Sequence, residues 1–227
     1  LMPDFHNPTG RSMDMALRQS TVEKAASAGC VIVADETTAE LAIDANDAMR
    51  PLASLGPVIT VGSLAKTIWG GLRIGWIRAE RDTIQRLVRA RPAGDLGTPV
   101  LDHVLADYTS MLTQRREHLR IGRDRLVASL REWLPEWHVP EVSGGLTLWV
   151  NLGAPVSSSL TLAARDQGLL VAAGPRFGVD GAFERFLRLP FSYSPDETDR
   201  AVDALAAAWK GLARGVAAEA PFLAEVV

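Results

Sequence analysis

Ser63, Lys66 and Arg73 lie together in the stretch VGSLAKTIWGGLRIGWI, and their types define a chemistry before any fold is known. The lysine follows a strand-like run and sits among apolar and small residues. Such surroundings disfavour an ammonium and favour the free, nucleophilic amine. An amine of that kind is what a carbonyl cofactor needs to be held as a Schiff base. The serine hydroxyl and the planar fork of the arginine both suit a phosphate. The same Ser-x-x-Lys spacing also occurs in serine acyl-transfer enzymes, where serine is the nucleophile, so spacing alone leaves both chemistries open.

Further polar groups stand where strands should end. VIVADE reads as a short buried parallel strand that delivers Asp35 and Glu36 to its carboxyl end, the edge at which open α/β sheets gather ligands. Residues Leu1 to Phe5 read as the end of a buried strand, broken by HNPTG. Asn7 precedes a proline and is thereby restricted to extended conformations that can hold its amide at a strand end. Arg188 sits in the strand-like FLRLPFS. No histidine or cysteine has metal-ligand spacing, and no metal site is expected.

The elements that must position these residues follow from pattern. Ser12 is expected to cap a helix from about Met13 to Ala28, ended by Gly29. PVITVGS, Pro57 to Ser63, is the next strand, and GLRIGWIRA another. Asp82 to Arg91 reads as a short basic helix with a solvated face. Helical signals run from Pro99 to Leu134, long enough that two helices or a kink are expected. SGGLTLWVNL, LLVAAG and RFLRLPFS read as strands, with SSLTLAARDQG a helix ended by Gly168. Ser194 to Glu197 forms a capping box, with proline at the first helical position, opening a last helix to about Gly215.

Composition narrows the class. A chain of 227 residues, 47% hydrophobic and 22% charged, has enough apolar residue for a real core. The net charge of −3 argues against this segment gripping a nucleic-acid backbone by itself. The one cysteine, Cys30, excludes an internal disulfide framework, fits a reducing, cytoplasmic setting and reads as a small buried residue. No apolar run is long enough to span a bilayer, and no signal peptide is expected. No internal repeat is present.

Taken in order, PDFHNPTG, VIVADE, GSLAKTIWGGLRIGW and FLRLPFS resemble the motifs of fold-type I, aminotransferase-like proteins that use pyridoxal phosphate, over nearly the whole chain. The resemblance implies an α/β fold: the C-terminal part of the fold-type I transferase, combining part of a mainly parallel large-domain sheet with a small α+β domain. It places the large-domain part at residues 1–98, linking helices at 99–134 and the small domain at 135–227. It implies that Lys66 carries the cofactor, Asp35 pairs with its pyridine nitrogen and Asn7 bonds its phenolic oxygen. Ser63 and Arg73 would hold its phosphate. Arg188, with Asn7, would bind the substrate, the arginine taking the α-carboxylate as a bidentate pair. Where the family carries a tyrosine three positions after the aspartate, this chain has Thr38.

DLGTPVLDHVLADY, SGGLTLWV and GPRFGVDG further resemble the MocR-type branch of GntR transcription regulators. The chain is therefore expected to be the effector-sensing domain of such a regulator, binding a small amino compound and touching DNA only through an upstream domain. A stand-alone aminotransferase moving an amino group between an amino acid and a 2-oxo acid is the alternative reading, and an α/β module with a dead site the third. The resemblance also implies a homodimer and a ring-stacking aromatic from residues before Leu1. The 227 residues alone are accordingly expected to bind cofactor weakly or not at all.

Overall fold

A computed structural model describes residues 1–44, 50–90 and 104–223, with side chains through residue 212. Most of DLGTPVLDHVLADY and the end of the tail lie outside the described residues. The chain forms two compact units, Leu1–His118 with Ser143–Gly145, and Leu119–Val142 with Leu146–Val227.

In the first unit, helix α1 (Met15–Ser27) precedes strand β1 (Ile32–Asp35), and strands β2 (Val58–Ser63) and β3 (Gly75–Arg78) complete a three-stranded sheet in the order β1-β2-β3. β1 and β2 are parallel, pairing Ile32 with Val58 and Asp35 with Val61, whereas β3 returns antiparallel, pairing Ser63 with Gly75. Leu1 extends the sheet: its amine donates to Val33 O at 2.8 Å, and Asp35 N donates to Leu1 O at 2.7 Å, the pattern of a parallel neighbour on the free edge of β1. Alternation buries Ile32, Ala34 and Val58 on one sheet face, where they form a cluster with Val22 of α1 and Leu52. Burying each of the valine, isoleucine and leucine side chains contributes about 1.5–3 kcal/mol.

Two details correct the sequence reading. Helix α1 is capped by Asp14, whose carboxylate accepts from Leu17 N at 2.7 Å. The Ser12 hydroxyl instead accepts from Phe5 N at 3.0 Å. Cys30 is exposed, because the left-handed turn at Gly29 (φ 62°) ends the helix and sets Cys30 and Val31 on the rim before β1 begins. The basic helix α2 (Arg81–Ala90) buries no residue, as its charge pattern implied.

The long helical region shows a break: residues 104–106 are helical, Asp107 is a turn, and helix α3 (Tyr108–Trp133) follows. Ser143–Gly145, the first residues of SGGLTLWVNL, belong to the first unit, where Gly145 N donates to Leu41 O at 2.9 Å.

The second unit holds strand β4 (Thr147–Asn151), helix α4 (Ser157–Asp166), the two-residue strand β5 (Ala172–Ala173), strand β6 (Phe186–Pro190) and helix α5 (Pro195–Leu223). The sheet is antiparallel in the order β4-β6-β5. Leu148, Val150, Leu187 and Leu189 fill its buried face. Leu160, Val202 and Leu205 are also buried, and α4 packs against α5. The expected capping box is present: the Ser194 backbone N–H and hydroxyl donate to the Glu197 carboxylate at 3.0 and 2.7 Å. No helix among the described residues is long and apolar enough to cross a membrane.

Candidate functional site

Topology brings the candidate residues of the first unit to one edge of its sheet. Asp35 closes β1 and Ser63 closes the parallel β2, so both stand at carboxyl ends. The register Asp35–Val61 and the two-residue period put Asp35 and Ser63 on the same sheet face. Asp35 is half-buried, and its carboxylate accepts from Thr37 N at 3.0 Å, a turn that fixes the group where the strand stops.

The loop after β2 carries Lys66. Leu64 and Thr67 are each 3% exposed and anchor the loop, while Lys66 between them is exposed. The neighbours Leu64 and Thr67 are thus buried while Lys66 between them stays exposed, so the lysine is not enclosed as its sequence setting suggested. Leu64 N donates to Ile74 O at 3.1 Å, Ile68 N to Leu64 O at 2.9 Å and Ala65 N to Ser63 Oγ at 3.4 Å, which close the loop on itself. Arg73, exposed and in the left-handed conformation at φ 54°, stands two residues before β3 starts opposite Ser63.

Asn7 lies in a tight turn, exposed at a cis peptide bond to Pro8. Gly10 N donates to His6 O at 2.7 Å and His6 N to Arg11 O at 2.8 Å. The segment leading into this turn is held by a residue that the sequence did not single out. Arg18 of α1 is 0% exposed and donates to Met13 O at 2.9 Å, Arg50 O at 3.1 Å and Pro3 O at 3.2 Å, and it forms an ion pair with Asp4. The Thr38 hydroxyl, also buried, donates to Asp4 O at 2.9 Å. Thr38 therefore spends its hydroxyl on the backbone that leads to Asn7. Glu36 adjoins this cluster. Burial, and then the like charge of Asp4, push its carboxyl up, and its Oε1 has no hydrogen-bond partner among the described residues.

A second set missed by sequence reasoning comes from the start of α3. Arg115 Nε donates to Lys66 O at 3.3 Å, and Arg116 Nε donates to Glu40 O at 2.8 Å. The Tyr108 hydroxyl donates to the Glu40 carboxylate. That hydroxyl is pushed up to about 12, first by burial and then by its bond to the Glu40 carboxylate. The first turns of α3 thereby join the Lys66 loop to the turn that follows Asp35. Nothing local marks these residues, because their partners lie 49 to 76 positions away.

Arg188 belongs to the second unit. It lies on β6, half-buried, on the sheet face opposite the leucine core and directly across from Trp149 and Ala172. Its guanidinium carbon sits 5.3 Å from the centroid of the Phe177 ring.

The donor set at the sheet edge of the first unit is an amine, a carboxylate, an amide, a hydroxyl and a guanidinium, every one half-buried or exposed. That set fits a phosphorylated pyridine aldehyde: the amine for the carbonyl, the carboxylate for a protonated ring nitrogen, the hydroxyl and guanidinium for the phosphate. Among the described residues no group of three or more His, Cys, Asp or Glu side chains could hold a metal ion.

Comparison with known proteins gives the same direction. The sequence profile of the family described as aminotransferase class I and II matches residues 2–205. "Aromatic-amino-acid aminotransferase 1" of Thermococcus litoralis is 30% identical over 213 residues, covering 88% of this chain and 50% of that protein. An "uncharacterized HTH-type transcriptional regulator YdfD" of Bacillus subtilis is 28% identical, covering 85% of this chain and 42% of that protein. The crystal structure of LysN, an α-aminoadipate aminotransferase from Thermus thermophilus complexed with N-(5'-phosphopyridoxyl)-L-leucine, superposes with a TM-score of 0.85 at 26% identity, over 94% of this chain and 59% of that one. The chain thus spans about half the length of the curated relatives it matches.

Proposed function

The chain belongs to the aminotransferase class I and II family, and on that premise we propose that it is a pyridoxal-phosphate-binding, aminotransferase-like domain that senses an amino compound for a MocR-type, GntR-family transcription regulator. The observation that carries the sensing role is Thr38. Where the enzyme pattern has a tyrosine hydroxyl for the cofactor, this hydroxyl is buried and donates to Asp4 O. A sensor must bind cofactor and effector but has no need of turnover. Similarity to proteins named as HTH-type transcriptional regulators supports the same reading. DNA contact then falls to a separate upstream domain, in keeping with the net charge of −3 here. The assembly is a homodimer and works in the cytoplasm.

When bound, pyridoxal phosphate supplies a carbonyl that condenses with amines and a ring that absorbs the electrons of a carbanion. Lys66 would provide the amine that holds it and could serve as a base toward the α-carbon proton of the amino compound. Asp35 would keep a proton on the pyridine nitrogen, and Asn7 would donate to the phenolic oxygen. Ser63 and Arg73 bind the phosphate. Arg188 orients the α-carboxylate through two parallel N–H donors, a geometry that guanidinium supplies and ammonium does not.

A stand-alone aminotransferase is the second reading, favoured by the 30% identity to an aromatic-amino-acid aminotransferase over 88% of this chain. One experiment separates them. The full-length protein is loaded with pyridoxal phosphate, reduced with borohydride and digested, and the labelled peptide is identified by mass spectrometry. Label on Lys66, absent in Lys66→Ala, is expected, and its absence would sink the cofactor reading. Unreduced protein is then given amino donors and a 2-oxo acid acceptor. Steady conversion of the acceptor to an amino acid makes the protein an enzyme. A lasting change in cofactor absorbance without product, coupled to altered DNA affinity, is the outcome expected of a sensor.

A further inference from the structure

The side chain of Lys66 is exposed, so its place is set by its backbone. Leu64 and Thr67 on either side are buried, and the bonds that close the loop run among Ser63, Leu64, Ala65, Ile68, Trp69 and Ile74. None of them involves Lys66 itself. Among the described residues Lys66 makes one hydrogen bond, in which its carbonyl oxygen accepts from Arg115 Nε at 3.3 Å. Arg115 is in turn held by its neighbours on α3. Tyr108, Leu112, Arg115 and Arg116 recur at the spacing of one helix face, and Leu112 is buried there. Tyr108 donates to the Glu40 carboxylate and Arg116 Nε to Glu40 O at 2.8 Å. The turn that receives them is tied back to the end of β1: the Asp35 carboxylate accepts from Thr37 N at 3.0 Å, and Ala39 N donates to Glu36 O at 3.1 Å. Arg115 is half-buried, burial pushes its guanidinium down, and no carboxylate pairs with it among the described residues. A cation placed so opposes folding, which points to a use other than packing.

We propose that Arg115 is a positioning residue that sets the Lys66 main chain, and with it the amine, against Asp35. The proposal rests on the reading of Lys66 as the amine that holds pyridoxal phosphate. In that bond the amine adds to the aldehyde carbon, and one water leaves as the carbon–nitrogen double bond forms. The aldehyde and the ring nitrogen lie on opposite sides of one rigid ring, so a lysine and a carboxylate serve both only at a fixed separation. Sheet register places Asp35 and Ser63, but Lys66 lies beyond the end of β2 and escapes it. The α3 face supplies the missing constraint, because Arg115 bonds the Lys66 carbonyl while Tyr108 and Arg116 bond the turn after Asp35. A loop held in advance loses less freedom when the bond to the amine forms. That saving appears as affinity for a ligand that bonds the amine, and is missing for one that only fills the site.

The test uses the full-length protein without cofactor and two ligands that differ only at the reacting carbon. Pyridoxal phosphate carries an aldehyde that can bond Lys66, and pyridoxine phosphate carries an alcohol that cannot. Both affinities are measured by titration calorimetry. Arg115→Met removes the donor but keeps an unbranched chain, and is expected to weaken pyridoxal phosphate about three- to tenfold, the worth of one hydrogen bond, while leaving pyridoxine phosphate unchanged. Arg115→Lys, which keeps a donor of similar reach, is expected to recover most of the loss. Equal weakening of both ligands in Arg115→Met would reduce Arg115 to a purely structural role and overturn the proposal, as would no weakening at all. Failure of Arg115→Lys to recover affinity would also overturn it, since the donor would then not be what matters. Lys66→Ala separates the two levels of the argument. If it leaves the advantage of pyridoxal phosphate over pyridoxine phosphate intact, or if wild type shows no such advantage, the reading of Lys66 fails and the proposal with it. If it abolishes the advantage while Arg115→Met does not diminish it, only the proposal fails.

Discussion

Replacing Arg18 by methionine removes the one fully buried cation among the described residues while roughly keeping its bulk. Its guanidinium serves the carbonyls of Pro3, Met13 and Arg50 and pairs with Asp4, whose side chain is 8% exposed. The variant leaves the Asp4 carboxylate buried without its counter-charge and strips three carbonyl oxygens of a donor. Breaking a buried pair by removing one partner costs about 3–5 kcal/mol. Because the chain has two compact units, the loss is read locally, from hydrogen exchange of the α1 and β1 amides together with urea unfolding. Arg18→Met/Asp4→Asn should recover part of the loss, since a neutral amide is cheaper to leave buried than a carboxylate. Pro3 and Asp4 lead into the Asn7 turn, so cofactor affinity should weaken in the single variant more than in the double. A cost below about 1 kcal/mol, or a double variant no more stable than the single, would refute the reasoning.

Two further outcomes follow from the same region. Glu36 has its carboxyl pushed up by burial and by Asp4, so ionising it opposes folding. The stability it allows is fully present below the carboxylate range and is lost as pH rises through its raised value, which means that Glu36→Gln should melt higher than wild type at neutral pH and match it in acid; thermal melts across that range check the crossover. Tyr108→Phe removes the bond to Glu40 and should cost about 1–3 kcal/mol by leaving a half-buried carboxylate short of a donor, measured by urea unfolding beside Glu40→Gln.

The strands were legible because their signals are local. VIVADE and PVITVGS are short apolar runs bounded by glycine, proline and acids, and they appear as β1 and β2 with Asp35 and Ser63 at their ends. The cap of α1 was not settled by such signals. Ser12 and Asp14 are both competent, and the choice between them is made by Phe5 N, which claims the serine. Arg18 was illegible for a sharper reason. Its burial is bought by acceptors at positions 3, 4, 13 and 50, and no pattern within its own helix announces them. The same holds for Phe177, whose partners Trp149 and Arg188 come from strands 28 positions before it and 11 after it. The placing of Asp35 and Ser63 at strand ends was readable from local pattern, while the contacts around them were set by tertiary structure.

Thr38 gives the most direct test of what the site has become. If the chain were an aminotransferase with one substitution, restoring tyrosine at this position should improve turnover. The structure predicts the reverse. Thr38 is 5% exposed, and its hydroxyl is committed to Asp4 O at 2.9 Å. A tyrosine there would force a ring into close-packed surroundings at a cost of about 1–3 kcal/mol and would deprive the Asp4 carbonyl of its donor. Thr38→Tyr should therefore melt lower than wild type and gain no transamination. Thr38→Ser should keep the hydroxyl bond and most of the stability, and Thr38→Val should lose it without overpacking. A Thr38→Tyr protein that melted like wild type and transferred amino groups faster would mean that this position opens to the cofactor, and the enzyme reading would then displace the sensor.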